Sequence, residues 1–211
     1  TEITSAVNKP IIVSTAIGRG EKWAPKHREA MKPGDFILLT KAAGLEGTAI
    51  IASDYEKDLA GILTAKELEQ AKAMMDQVSV VKEGIIAGKI GTSGMHDITE
   101  GGVLGAVWEM CRRGDVGAEI WVETIPVDNV TKKICEQYDI DYLRLISSGS
   151  MIIMTGPDKK DQLLQALSEA GIQATCIGVI RTAEEGIKME VGGELMEIAP
   201  PAGDELYKVV G

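Results

Sequence analysis

The run Gly94-Met95-His96-Asp97-Ile98-Thr99-Glu100-Gly101-Gly102 gathers residue types that can handle a phosphate. It leads directly into residues 103–111, where Val103, Val107 and Met110, and Leu104, Trp108 and Cys111, recur at helical spacing. The run itself reads as the loop that starts this helix. Thr99 is placed to cap it with its hydroxyl, and Gly101 and Gly102 leave the first turn bare of side chains. A bare helix start offers unpaired N–H groups and the positive end of the dipole, which suits a phosphate. Asp97 beside it is repulsive to phosphate unless a cation intervenes, and Mg²⁺ commonly bridges carboxylates to phosphate oxygens. His96 is placed either to hydrogen-bond phosphate or substrate, or to pack as a structural histidine. A plainer reading stands beside this one: two glycines at a helix start are common, and an Asp before a Thr often only shapes a turn.

Composition limits the alternatives. The chain has 211 residues, 45% of them hydrophobic, so one sizeable core is within reach. Phe occurs once, at Phe36, and the core must rest on Ile, Val, Leu, Ala and Met. The net charge of −10 argues against nucleic acid, which calls for a basic surface. It also implies that a bound phosphate is held by backbone N–H groups and Mg²⁺ rather than by a Lys/Arg cluster. Cys111, Cys135 and Cys176 are far apart and form no CxxC, so buried reduced thiols and a cytoplasmic location are expected. No apolar run approaches membrane-spanning length and no signal peptide is visible, so no membrane partner is expected. The first residue is Thr1 rather than Met, and the chain is expected to be a fragment of a longer protein.

The elements that must position these residues can be taken in order. Residues 1–9 are polar and expected to be a flexible segment. Residues 10–18 read as a buried strand, and residues 19–32 as a charged loop in which His27 is a solvated residue. Lys32-Pro33-Gly34-Asp35 reads as a turn and residues 36–40 as a buried strand. Gly44-Leu45-Glu46-Gly47 then opens a second glycine-rich helix, either as a tight turn or as another lining of the same cleft. Residues 56–89 read as helices, with Thr64 and Glu67 in capping-box spacing. Residues 118–122 read as a strand, and Ile125-Pro126-Val127 as the start of a helix through Cys135. Ser147-Ser148-Gly149-Ser150 reads as a tight connection, or as a donor set for an anion, before a buried strand at 151–154. A helix over 157–170, a strand over 174–180 and a hairpin turning at Gly192-Gly193 complete the pattern. The expected fold is α/β: one domain over residues 10–198, a mixed β-sheet covered by helices, with residues 199–211 as a C-terminal tail.

The run His96-Asp97-Ile98-Thr99-Glu100-Gly101-Gly102-Val103-Leu104 resembles the His-Asp-Val-Ser-Asp-Gly-Gly-Leu signature of formylglycinamidine ribonucleotide synthetases. It is similar to the loops of aminoimidazole ribonucleotide (AIR) synthetase, selenophosphate synthetase, thiamine-monophosphate kinase and the hydrogenase-maturation carbamoyl dehydratase. The Pro33-Gly34-Asp35 strand start and the glycine-rich loop after it resemble the last group most, although Glu46 stands where that group has His. The resemblance covers most of the chain, as the C-terminal domain of the superfamily. It implies a part of an ATP- and Mg²⁺-dependent enzyme that activates a small-molecule substrate by phosphoryl transfer. Asp97 would then be the metal-site carboxylate, and Gly101 and Gly102, with Thr99 and His96, the phosphate site. It implies a missing N-terminal ATP-binding domain, without which the chain should be inactive, and a homodimer in the full-length form. The dehydratase carries a reactive Cys at its extreme C-terminus; this sequence ends Tyr207-Lys208-Val209-Val210-Gly211, so the resemblance does not carry the dehydration itself. A non-catalytic binding or assembly module on the same fold is the alternative.

Overall fold

The computed structural model describes residues 13–15, 17–18 and 31–210. The strand expected over 10–18 and the loop carrying His27 fall largely outside them, and Val13, Ser14, Thr15, Ile17 and Gly18 lie in no strand. Among the described residues seven strands form one sheet: β1 (Phe36–Thr40), β2 (Gly94–Asp97), β3 (Gly117–Trp121), β4 (Met151–Thr155), β5 (Ala174–Arg181), β6 (Ile187–Val191) and β7 (Glu194–Glu197). Their order is β2-β4-β1-β5-β3-β6-β7. The β3–β6 pair is parallel and the other pairs are antiparallel, so the sheet is mixed, as expected.

The period of two along a strand puts alternate residues on opposite faces. In β1, Ile37 and Leu39 join one core cluster and Leu38 another. The first face is covered by α4 (Gly102–Gly114), which buries Val103, Leu104, Val107, Met110 and Cys111. The second is covered by α3 (Val81–Ile90) and α6 (Lys160–Glu169), through Ala87, Leu163 and Leu167. A third cluster joins α1 (Leu45–Asp54), α2 (Ala65–Ala73) and α5 (Asn129–Tyr138) around Ile51, Ile134 and Leu145. A final short helix, α7 (Tyr207–Val210), follows Leu206, which is buried in that cluster.

Two local expectations need correction. Residues 56–63 form turns rather than a helix, and helical structure resumes where Thr64 and Glu67 close their capping box. Helix α5 starts at Asn129, not at residues 125–127, because Asp128 caps it, its Oδ1 accepting from the Val130 N–H at 3.1 Å. Pro126 instead offers its carbonyl to the Ala43 N–H at 2.9 Å. The hairpin at Gly192 and Gly193 is present, with φ of 58° and 87°, the left-handed conformation a two-residue turn requires.

Candidate functional site

The sheet edge β2 and the start of α4 carry the signature residues. Gly94–Asp97 is a strand, not the loop expected: His96 pairs with Ile152 and Asp97 with Met151 of β4. Ile98 then turns into the core, fully buried, with its N–H donating to the Ser150 carbonyl at 3.0 Å.

His96 lies between two carboxylates. Its Nε2 is 3.0 Å from Glu109 Oε2 on α4, and its Nδ1 is 3.3 Å from Asp97 Oδ1. The histidine side chain is one-fifth exposed, whereas Asp97 and Glu109 are about half exposed. With both ring nitrogens facing carboxylates, His96 is fixed in orientation and the two acids remain available to solvent. Sequence reasoning missed Glu109. Its signal was a single acid inside the otherwise apolar repeat of residues 103–111.

The helix start differs from the expected form. Thr99 provides no side-chain cap; the N-cap is Gly101 in the left-handed region, φ 82°, and the Thr99 carbonyl accepts from the Gly102 N–H at 3.1 Å. The competing group is a carboxylate from far along the chain: Asp204 Oδ2 accepts from the Gly101 N–H at 2.7 Å. Asp204 Oδ1 also accepts from the N–H groups of Ile146, at 3.1 Å, and Leu206, at 2.8 Å. Burial pushes the Asp204 carboxyl above its ordinary pKa, and these N–H bonds only partly offset that. Nearby, the Tyr207 hydroxyl donates to Glu100 Oε1 at 2.6 Å, and that bond raises the Tyr207 pKa.

Gly102 is a glycine for steric reasons as well. A Cβ there would lie 2.6 Å from the Leu143 carbonyl oxygen, and the backbone holds φ at 62°. The same segment closes the second glycine-rich helix start. Ser147 Oγ accepts from the Leu45 N–H at 3.1 Å, the Ile146 carbonyl accepts from Gly47 at 2.9 Å, and a Cβ on Gly47 would meet Leu145 at 2.5 Å. Ser147 and Ser150 both donate to the Ala42 carbonyl, so this serine turn is a tight connection. Residues 143–147 thus thread between the two helix starts.

Among the described residues the His96 cluster lies at the sheet edge, with Asp97 and Glu109 about half exposed. Cavities of about 420 and 750 Å³ lie elsewhere, the first between α4 and the β6–β7 hairpin and the second beside residues 53–68. Among the described residues no group of three or more His, Cys, Asp and Glu side chains is arranged to hold a metal ion. Asp97 and Glu109 offer hard carboxylate oxygens of the kind Mg²⁺ shares with phosphate. Among the described residues no helix is long and apolar enough to cross a membrane.

Residues 32–191 match the family described as AIR synthase related protein, C-terminal domain. The chain belongs to that family. A hydrogenase expression/formation protein of Methanocaldococcus jannaschii is 24% identical over 217 residues, covering 99% of this chain and 61% of its own length. The crystal structure of E. coli HypE, a hydrogenase maturation protein, superposes with a TM-score of 0.71 at 22% identity, covering 88% of this chain and 55% of that one. A hydrogenase maturation protein HypE in complex with ATP superposes with a TM-score of 0.63 at 19% identity, over 83% of this chain and 53% of that one. The chain therefore spans a little over half the length of these relatives, and the likeness to the solved structures is one of fold.

Proposed function

We propose that this chain is the C-terminal part of an ATP-dependent enzyme and supplies one wall of its Mg²⁺–nucleotide site. The observation that carries this reading is an anion already held at the helix start. The Gly101 N–H binds a carboxylate oxygen of Asp204, four residues along the chain from the exposed carboxylate of Asp97. A carboxylate oxygen there stands in for a phosphate oxygen, which recognises the same N–H and dipole. In this reading phosphate takes the place of Asp204 at Gly101 and of the Thr99 carbonyl at Gly102, Thr99 supports the turn, and His96 donates to phosphate or substrate. Asp97, with Glu109 across His96, would hold Mg²⁺, whose chemistry is to neutralise charge on a transferring phosphoryl group. An open charged edge cannot exclude water by itself, so the site calls for a second body. We assign that role to an N-terminal ATP-binding domain of the full-length protein, acting as a homodimer in the cytoplasm on a small-molecule substrate, in a role like that of hydrogenase-maturation proteins.

One observation favours the alternative of a non-catalytic binding or assembly module: both glycine-rich helix starts are filled by the chain's own groups. The two readings separate on Asp97→Asn, made in a protein containing both halves. The substitution keeps the size and turn-forming bonds and removes the charge. The enzyme reading expects Mg²⁺-dependent ATP turnover to fall by about 100-fold or more, with thermal stability within about 0.5 kcal/mol of wild type. The 211-residue chain alone should turn over no ATP. Undiminished turnover in Asp97→Asn at low Mg²⁺ would remove Asp97 from the site.

A further inference from the structure

At the far end of β2 lies a second polar cluster, and it has no part in the nucleotide reading. Four buried side-chain oxygens that lack a hydrogen-bond partner among the described residues lie here: Asp35 Oδ1, Thr92 Oγ1, Ser93 Oγ and Thr155 Oγ1. Asp35, Thr92 and Ser93 line a cavity of about 250 Å³, together with Asp158 and two lysines, Lys32 and Lys159, and Thr155 precedes Gly156 on its wall.

Asp35 decides what belongs there. It is 1% exposed, and its Oδ2 accepts from the Lys32 N–H at 3.2 Å while Oδ1 accepts from nothing. Asp158 Oδ1 comes to the same place: the two carboxylate oxygens lie 3.8 and 2.6 Å from the position a Cβ would take on Gly156. Glycine at 156 leaves room for both to approach. Lys159 lies on the other wall, with Nζ 3.0 Å from the corresponding point on Gly91, yet it forms no ion pair within 4 Å among the described residues. Lys32 likewise forms no ion pair within 4 Å among the described residues, so neither ammonium contacts Asp35 Oδ1. All the unpartnered groups are hard oxygens, with no nitrogen or sulfur donor among them. Ca²⁺ takes oxygen ligands, carboxylates foremost, in flexible geometry, whereas Mg²⁺ demands a near-ideal octahedron and keeps several waters.

We propose that the Asp35–Asp158 cavity is a binding site for a dehydrated hard cation of the size of Ca²⁺, which ties the turn before β1 to the start of α6. The test is calorimetric titration of chelator-treated 211-residue chain with CaCl₂, paired with thermal melts in Ca²⁺, Mg²⁺ and choline chloride at matched ionic strength. Wild type should bind one Ca²⁺ and melt higher in Ca²⁺ than in the other two salts. Asp158→Asn, at an exposed residue, should weaken binding by about tenfold or more. Asp35→Asn should abolish it; should that variant fail to fold, Ser93→Ala serves in its place and should weaken binding. Lys159→Met, which removes a like charge, should tighten it. The absence of a saturable Ca²⁺ effect in wild type would overturn the proposal. So would a Ca²⁺ effect unchanged in Asp158→Asn and Ser93→Ala, since the ion would then lie elsewhere on this acidic surface.

Discussion

Lys41 shows how much one residue can hold. Its backbone sits at φ 55°, in the left-handed region that a non-glycine residue rarely takes. Its Nζ donates to the carbonyls of Gln77, Ser79 and Gly149 at 2.9, 2.9 and 2.7 Å, and lies 2.9 Å from Glu83 Oε1. The Glu83 side chain is only 2% exposed, so the ammonium is what makes its burial tolerable. Lys41→Met should therefore destabilise the chain by about 3–5 kcal/mol, the typical cost of leaving a buried charge unpaired. In urea melts, Lys41→Met/Glu83→Gln should recover a large part of that loss; a double variant as unstable as the single one would mean that the three carbonyls, not Glu83, need the ammonium. Nothing in the sequence signals this pair, because its members are 42 positions apart and each stands in an ordinary charged context. Glu109 was hidden for a related reason: its partner His96 is on a different element. Cys111 was legible as a buried thiol from its apolar run, whereas Cys176, in a similar run, is only half-buried; Cys135 is buried too, and burial pushes Cys111 and Cys135 up to about 12.

At the scale of elements, local pattern sufficed wherever the cause was local. The strand at 36–40, the Thr64–Glu67 capping box and the glycine hairpin at 192–193 are each set by their own residues, and each is present. The two helix starts were misplaced for a related reason: a carboxylate other than the expected start residues took a first N–H group of the helix, Asp128 at α5 and Asp204 at α4. Likewise, Gly101 and Gly102 read as a phosphate cradle, whereas close approach of residues 143–144 gives Gly102 a second reason to be glycine. This predicts that Gly102→Ala is costly even without a ligand. The new Cβ would lie 2.6 Å from a backbone oxygen and 2.8 Å from the Arg144 Cα, at a φ that Ala disfavours. We expect a loss of about 2–4 kcal/mol, the sum of overpacking and left-handed strain. Chemical denaturation of the 211-residue chain measures it directly. A loss below about 0.5 kcal/mol, the range of an ordinary surface change, would show that the 143–144 backbone moves aside freely.

For the whole molecule, the α/β class and the mixed sheet were legible, because alternation and helical spacing mark them, but the role of the C-terminal segment was not. Residues 199–211 carry no long apolar pattern, and they read as a tail. In the structure Leu206 is buried among α1, α2 and α5, and Asp204 bonds the N–H groups of residues 101, 146 and 206, which come from three separate segments. Pro201 lies against Gly101 and Gly105, so the segment clasps the start of α4. Asp204→Ala leaves buried N–H groups on Gly101 and Ile146 without an acceptor, each costing about 1–3 kcal/mol. The expected result is a lowered thermal midpoint together with faster amide exchange at Gly101 and Ile146, while amides of β1 and β5 lose protection only through the global change. The pH dependence has a definite sign. Because burial raises the folded-state pKa of Asp204 above its ordinary value, its contribution is fully present below the ordinary carboxylate pKa and diminishes as pH rises through the raised value. The gap in stability between wild type and Asp204→Ala should therefore widen as pH falls through the carboxylate range. A gap that closes on acidification would mean that the three N–H bonds, rather than burial, dominate at Asp204. A variant indistinguishable from wild type at every pH would mean that the clasp contributes nothing, and that the anion bound at Gly101 can leave without cost.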